Sequence, residues 1–296
     1  METMPPLGST LRIFHPAPGI VAFYDGRIAG RRAYSELPNW LDDGAYSLGI
    51  CSYVIVDGPE ALVYDTHISL THADLIREML QTLGVRSIRV VLSHWHDDHV
   101  AGNEVFADCE ILAHHLTAQT LEKNRIALEK AIPPIKPLIM PNSIYEDTLE
   151  IKVGNIAVEL RHADIHSLDG TVLFLPESSL LLAGDTLEDT VTYVDEPHRL
   201  DVHLKHLEEM ASWKISRILP NHGSPDVIES GGYGTSLITA TRNYVKKLQR
   251  CRTEPTLAAQ DLRTFCAEDL AAGAIFYFPG YEEVHQLNVQ AVTTAQ

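Results

Sequence analysis

IRVVLSHWHDDH, residues 88–99, moves within twelve positions from an apolar run to a crowd of imidazoles and carboxylates. Its first half, Ile88 to Leu92, is β-branched and apolar and reads as a buried strand. Its second half, His94-x-His96-x-Asp98-His99, falls where such a strand ends and irregular backbone begins, the place where α/β proteins carry chemistry. A tight loop with this spacing can aim two imidazoles at one cation, and a carboxylate with an imidazole at a second. These are donors that Zn²⁺ and its first-row neighbours accept. The plainer reading is a polar loop that happens to be rich in histidine, and the rest of the chain has to decide between them.

Upstream, CSYVIVDGPEALVYDT (51–66) reads as two strands around a Gly-Pro turn, and THADLIREMLQTLG (71–84) as a helix. That helix has Leu75, Ile76, Met79, Leu80 and Leu83 at helical spacing and Gly84 to close it. Strand, helix and strand therefore deliver His94 to a strand end. Downstream come a strand at CEILAHH (109–115), a helix near 116–132, and the proline-rich PPIKPLIMP (133–141), expected as a mobile flap. The strand-like runs LEIKVGN, IAVELRHA, TVLFLP and SLLLAGD follow, then an amphipathic helix in HRLDVHLKHLEEMASW (198–213), and RILPNHG, which ends a strand at His222. Residues 1–48 suit edge strands and loops. Beyond Gly231-Gly232 the pattern is helical, so residues 1–232 are expected as the main domain and 233–296 as a C-terminal helical extension.

Composition narrows the class. A chain of 296 residues, 45% hydrophobic, can bury one large core, and it has no apolar run of the roughly 18 residues that a membrane-spanning helix needs. The opening METMPPLGSTLRIFHP has no basic start leading into an apolar run, so export is not expected and a cytoplasmic location is. Cys51, Cys109, Cys251 and Cys266 are widely spaced and read as reduced core residues. Lys and Arg number 23 against 40 Asp and Glu, a formal net charge of −17, which repels nucleic acid; Lys246, Lys247, Arg250 and Arg252 read as a solvated helix face. The expected partner is a small molecule, with neither nucleic acid nor membrane, and a homodimer through the C-terminal helices would bury their apolar positions.

The His-x-His-x-Asp-His run, followed by the small residues Ala101-Gly102-Asn103, resembles the metallo-β-lactamase superfamily. Its other motifs occur in order: Asp65 in LVYDT, His166 in HSLDGT, Asp185 in LLAGDT and His222 in LPNHG. The resemblance covers about Gly49 to Pro225. It implies an α/β fold, an αββα sandwich with the metals at one edge, and two divalent ions, with zinc first and manganese or iron as alternatives. Carried over residue by residue, it gives His94, His96 and His166 to one ion and Asp98, His99 and His222 to the other. By the same resemblance Asp185 would bridge them, and a water between the ions would be the nucleophile. Asp65 stands behind the ligands and orients one of them. His162 competes with His166 for a ligand role but lacks the Ser and Gly context. His114, His115, His203 and His206 read as surface or supporting residues, and Tyr193 as a candidate donor to a developing oxyanion or as an ordinary packed tyrosine.

The expected function is metal-dependent hydrolysis of a small carbonyl compound, lactone or ester first. Asp185 stands where true β-lactamases usually carry Cys or Ser, which disfavours penicillin as substrate. A β-lactam or other amide, a phosphodiester, an iron-dependent oxygenation, and a regulatory module that retains metal without turnover are the alternatives.

Overall fold

The computed structural model describes residues 6–295; the first residues of the opening read above, 1–5, and residue 296 lie outside it. Twelve strands form two sheets. The first holds β1 (Arg12–Ala17), β2 (Ile20–Asp25), β3 (Ile50–Asp57), β4 (Glu60–Tyr64), β5 (Ser87–Val91), β6 (Glu110–His114) and β7 (Ser143–Tyr145), in that spatial order. The second holds β8 (Thr148–Val153), β9 (Ile156–His162), β10 (Thr171–Leu175), β11 (Leu180–Gly184) and β12 (Arg217–Pro220), ordered β12-β11-β10-β9-β8. Pairing is antiparallel from β1 to β4 and parallel from β4 to β7. The hairpin read from the sequence is β3–β4, with Asp57 opposite Glu60 across the Gly58-Pro59 turn.

Alternation along each strand makes the layers. Tyr53, Ile55, Leu62 and Tyr64 face inward onto Leu160, Leu173, Leu175 and Leu182 of the other sheet. Their neighbours Val54, Ala61 and Val63 face the opposite way, onto α1 (Leu70–Thr82) and α3 (His115–Lys130). The one-turn α2 (Asp97–Val100) lies between these helices in sequence. On the far side, Val172, Phe174, Leu181, Ala183 and Ile218 pack under α4 (Leu200–Ala211) and the helices that follow α5 (Pro225–Glu229). Those are α6 (Ser236–Cys251), the short α7 (Pro255–Ala258), α8 (Leu262–Phe265) and α9 (Ala267–Ala271), and α10 (Tyr281–Thr294). The result is a four-layer αββα sandwich with C-terminal helices. Among the described residues no helix is long and apolar enough to cross a membrane.

Several local expectations need correcting. Ile76 and Leu80 of α1 are buried as expected, joined by His72 and Ala73, whereas Leu75 and Met79 are only partly buried and Leu83, just past the end of the helix, is half exposed. The proline-rich 133–141 is packed: Ile135 and Leu138 are buried, the Trp40 indole donates to Pro133 O, and Asn103 donates to Ile139 O. His114 and His203 are no surface residues. Both are buried, His114 stacked on His162 with ring centroids 4.3 Å apart, and the partly buried His206 packs edge-on against His162. Residues 41–46, expected as loop or strand, form a wide helical turn (Leu41–Tyr46) that becomes one wall of the site.

Candidate metal centre

The site lies along one edge of the sandwich, at the ends of β4, β5, β11 and β12. β5 ends at Val91, and the chain runs on through His94 to an extended His96 and then the turn of α2, which carries Asp98 and His99. His166 projects from the β9–β10 connection, Asp185 follows β11, and His222 follows β12. Close packing explains the small residues among them. A Cβ at Gly102 would stand 2.1 Å from Thr66 O, and one at Gly184, whose φ is +56°, would stand 2.8 Å from the Tyr64 hydroxyl. Asp65 and His166 themselves hold left-handed backbone, with φ of 66° and 65°, a cost that a packed surrounding must over-determine and that clusters at functional sites.

Two groups of ligand atoms converge. In the first, His94 Nε2 lies 2.9 Å and His166 Nε2 3.0 Å from His96 Nδ1. In the second, Asp98 Oδ1 is 3.3 Å from His99 Nε2, and Asp98 Oδ2 is 3.1 Å from His222 Nε2. Asp185 belongs to both: its Oδ2 is 3.0 Å from His99 Nε2, 3.4 Å from His222, 3.7 Å from His94 and 3.8 Å from His166. All seven residues assigned from the sequence are thus brought together. His162, the competitor of His166, is not: its Nε2 donates to Leu168 O.

The donor chemistry fits cations. Gly49 O, which only accepts, takes the Nδ1 proton of His222 at 2.6 Å, and the Asp65 carboxylate takes that of His99 at 2.9 Å. Their Nε2 atoms, once neutral, point lone pairs at the carboxylates of Asp98 and Asp185, an arrangement that needs positive charge between the partners. Burial alone would lower the His99 and His222 imidazoles, but Asp185 and Asp98 hold both well above the ordinary histidine value. His94 goes the other way, pushed well below by burial and by the neighbouring His99 and His96, and so offers a neutral ring. Asp185 Oδ1 is buried without a hydrogen-bond partner, a vacancy that a ligating role explains. His166, Asp185 and Glu188 also place ligand atoms within 4.8 Å of one another. Glu188 is read as a support, because His166 already turns Nε2 to the cluster and only Nδ1 to Glu188.

Behind the ligands stands a shell of supports. Asp65, fully buried, accepts the Ser93 amide through Oδ1 at 2.6 Å, and His99 and the Asn221 amide through Oδ2 at 2.9 and 2.6 Å. Ser93 Oγ meets His94 Nδ1 at 2.9 Å. Glu188 Oε1 is 3.3 Å from His166 Nδ1, and Asp195 Oδ2 is 3.7 Å from His96 Nε2. Asn221, Glu188 and Asp195 were not anticipated. For Asn221 the Pro-x-His-Gly motif held a signal, the variable position; Glu188 and Asp195 lie in a segment with no periodic or motif signal.

A cavity of about 370 Å³ opens over this floor. Its apolar walls are Trp40, Ala45 and Leu48 on one side and Tyr193, Val284 and Leu287 on the other, with Asp43, Asp97 and Glu283 the charged groups above the floor. Tyr193 is half-buried with its ring 5.9 Å from that of His166, inside the cavity and not packed away from it. Among its described residues the extension thus supplies no ligand but roofs the cleft through α10.

Known proteins share this frame. A profile of the metallo-β-lactamase superfamily matches residues 48–222. The lactamase-like protein ptaB of Pestalotiopsis fici is 29% identical over 216 residues, 71% of this chain and 63% of the relative. An atrochrysone carboxyl ACP thioesterase of Passalora fulva is 23% identical over 228 residues, 72% and 62% of the two chains. The beta-lactamase-like protein 2 homolog of Caenorhabditis elegans is 24% identical over 185 residues, 61% and 58%. This chain therefore spans about three fifths of the length of these relatives. Among solved structures, the DIM-1 metallo-β-lactamase exposed to ceftazidime superposes with a TM-score of 0.63 at 19% identity, covering 83% of this chain and 99% of that one. The metallo-β-lactamase from Pontibacter korlensis gives 0.61 at 16%, covering 80% and 99%. Profile, fold and the converging His and Asp side chains agree: the chain belongs to the metallo-β-lactamase superfamily.

Proposed function

We propose that the protein is a metal-dependent hydrolase that cleaves a small, largely apolar carbonyl substrate, a lactone or ester first, at a centre of two divalent ions. The observation that carries this reading is the shared carboxylate: Asp185 stands between a three-histidine group and an Asp98, His99, His222 group at the floor of an apolar-walled cavity. His94, His96 and His166 would hold one ion, Asp98, His99 and His222 the other, and Asp185 both. Bound there, divalent ions activate water near neutral pH and polarise a carbonyl. The chain's own residues do the rest. Trp40, Leu48, Val284 and Leu287 bind the apolar body and exclude bulk water from the reacting centre, which strengthens every charge interaction there. Asp65 keeps the His99 proton on Nδ1 and so leaves Nε2 free to ligate. Tyr193, its hydroxyl raised above the ordinary phenol value by burial and by Asp195, stays protonated and able to donate to a developing oxyanion.

Acyl thioesters form a second reading, favoured by the atrochrysone carboxyl ACP thioesterases among the relatives. A panel of lactones, aryl esters, thioesters, amides and phosphodiesters, assayed before and after chelator treatment, separates the readings. The expected result is turnover of the ester class that is lost with chelator and restored by Zn²⁺, Mn²⁺ or Fe²⁺. Stoichiometric metal with no turnover of any member would replace the enzyme with a metal-retaining module.

A further inference from the structure

Among the described residues, the supports behind the two ligand groups come largely from different stretches of the chain. His99 and His222 are held by Asp65 and by Gly49 O, both in the first 65 residues. Support for the three-histidine group is drawn largely from one segment, 188–195. Glu188, 2% exposed, faces His166 Nδ1 at 3.3 Å, and that nitrogen is buried without any regular hydrogen bond. Asp195 faces His96 Nε2 at 3.7 Å, and its amide donates to His166 O at 3.0 Å.

That segment is in turn gripped by α10. The buried Tyr281 hydroxyl donates to Glu188 Oε2 at 2.9 Å, while Oε1 accepts the Tyr193 amide at 2.9 Å and the Thr192 hydroxyl at 3.2 Å. Two turns further along α10, Asn288 accepts the Val194 amide at 2.9 Å and donates to Thr192 O at 2.9 Å. Glu188, Thr192, Val194, Tyr281 and Asn288 are buried and Tyr193 is half-buried, and together they hold Glu188 with Oε1 turned to His166.

We propose that α10 is a positioning element that acts chiefly on one metal: through Tyr281, Glu188 and His166, with Asn288 holding the same segment, it sets the affinity of the His94, His96, His166 site far more than that of the other, which the segment meets only through backbone, Thr192 Oγ1 to Asp185 O at 2.7 Å and Asp189 N to His222 O at 3.1 Å. The inference rests on the metal-centre reading above. A carboxylate behind a ligating histidine fixes its tautomer and raises its basicity, and removing one typically costs about 10–100-fold in metal affinity. Tyr281 fixes Glu188 as Glu188 fixes His166, so the hydroxyl of a residue on the C-terminal helix reaches the metal through two contacts.

The test is a Zn²⁺ titration of the full chain against a chromophoric chelator, with melting of the metal-free proteins in parallel. Wild type should take up two equivalents. Glu188→Gln, which keeps the shape, should weaken one by tenfold or more and leave the other within about twofold; Tyr281→Phe should weaken the same one less, with little change in metal-free melting. Asp65→Asn should weaken the other equivalent, and the Glu188→Gln, Asp65→Asn double variant both. The inference is overturned if Glu188→Gln and Tyr281→Phe leave both equivalents unchanged, weaken both together in step with melting, or strike the equivalent that Asp65→Asn strikes. Fewer than two equivalents in wild type would instead overturn the metal-centre reading itself.

Discussion

Replacing Asp185 by Asn removes one charge and almost no volume, and the geometry says how much that charge does. A single oxygen, Oδ2, stands 3.0 to 3.8 Å from the ligating nitrogens of His99, His222, His94 and His166, in a side chain 4% exposed. Burial alone would raise this carboxyl, but His99 and His222 hold it well below the usual carboxylate range, so it is ionised at any working pH. An amide in its place offers a weaker acceptor, turns a donor toward atoms that must face cations, and stops offsetting the repulsion between two ions. Disturbing only the supports of a metal site costs about 10–100-fold, or about 1.4–2.7 kcal/mol, and a shared ligand should cost at least the lower figure. Asp185→Asn is therefore expected to fold, to bind the weaker ion at least roughly tenfold less tightly, and to lose activity by a similar factor at fixed metal. Chelator competition and steady-state rates at several metal concentrations measure both. Wild-type rate and pH dependence in the Asn protein at full occupancy would refute the shared carboxylate and bring mononuclear chemistry forward.

Two further perturbations test other links. Burial pushes the His203 imidazole down to about 4, with Asp164, Arg199, His206 and His166 its charged or titratable neighbours. Because the folded value lies below the unfolded one of about 6.5, the unfolded chain takes up the proton first, so stability is full above about pH 6.5 and falls toward pH 4, by at most about 3 kcal/mol from this residue. Urea unfolding of the metal-free protein should show that limb, and His203→Leu should flatten it; equal slopes in both would exclude His203 as a source. Truncation after Gly232 should leave an aggregating chain that binds hydrophobic dyes. It strips Leu237, Ile238, Tyr244, Val245, Leu248, Phe265, Tyr281 and Val292 from their shared core, each worth roughly 1.5–3 kcal/mol, a sum that reaches the whole stability of a typical domain. A soluble, cooperatively melting product would show the helices to be separable.

Period and motif made much of this legible in the chain. Two-residue alternation in CSYVIVDGPEALVYDT sets which side chains fill the inter-sheet core, and β5 ending at the histidine run places the site at a strand end. Asp65 was legible as a carboxylate after a strand, though its grip on Asn221 spans 156 positions and shows only in the fold. Glu188, Asp195 and Tyr281 were illegible for the same reason: their meaning lies in contacts across the chain, such as Tyr281 to Glu188, 93 positions apart. His203 misled because a polar residue on an amphipathic helix is read outward, whereas packing against the loop that holds Asp164 turned it in.

The most direct test of the binuclear centre is metal content by elemental analysis of the purified, Zn²⁺-reconstituted protein and of its His94→Ala and Asp98→Ala variants. Two equivalents per chain are predicted for wild type, with each variant losing or weakening an equivalent: the three-histidine ion in the first, the Asp98, His99, His222 ion in the second. Two equivalents at wild-type affinity in both variants, or none in the wild type, would contradict the account.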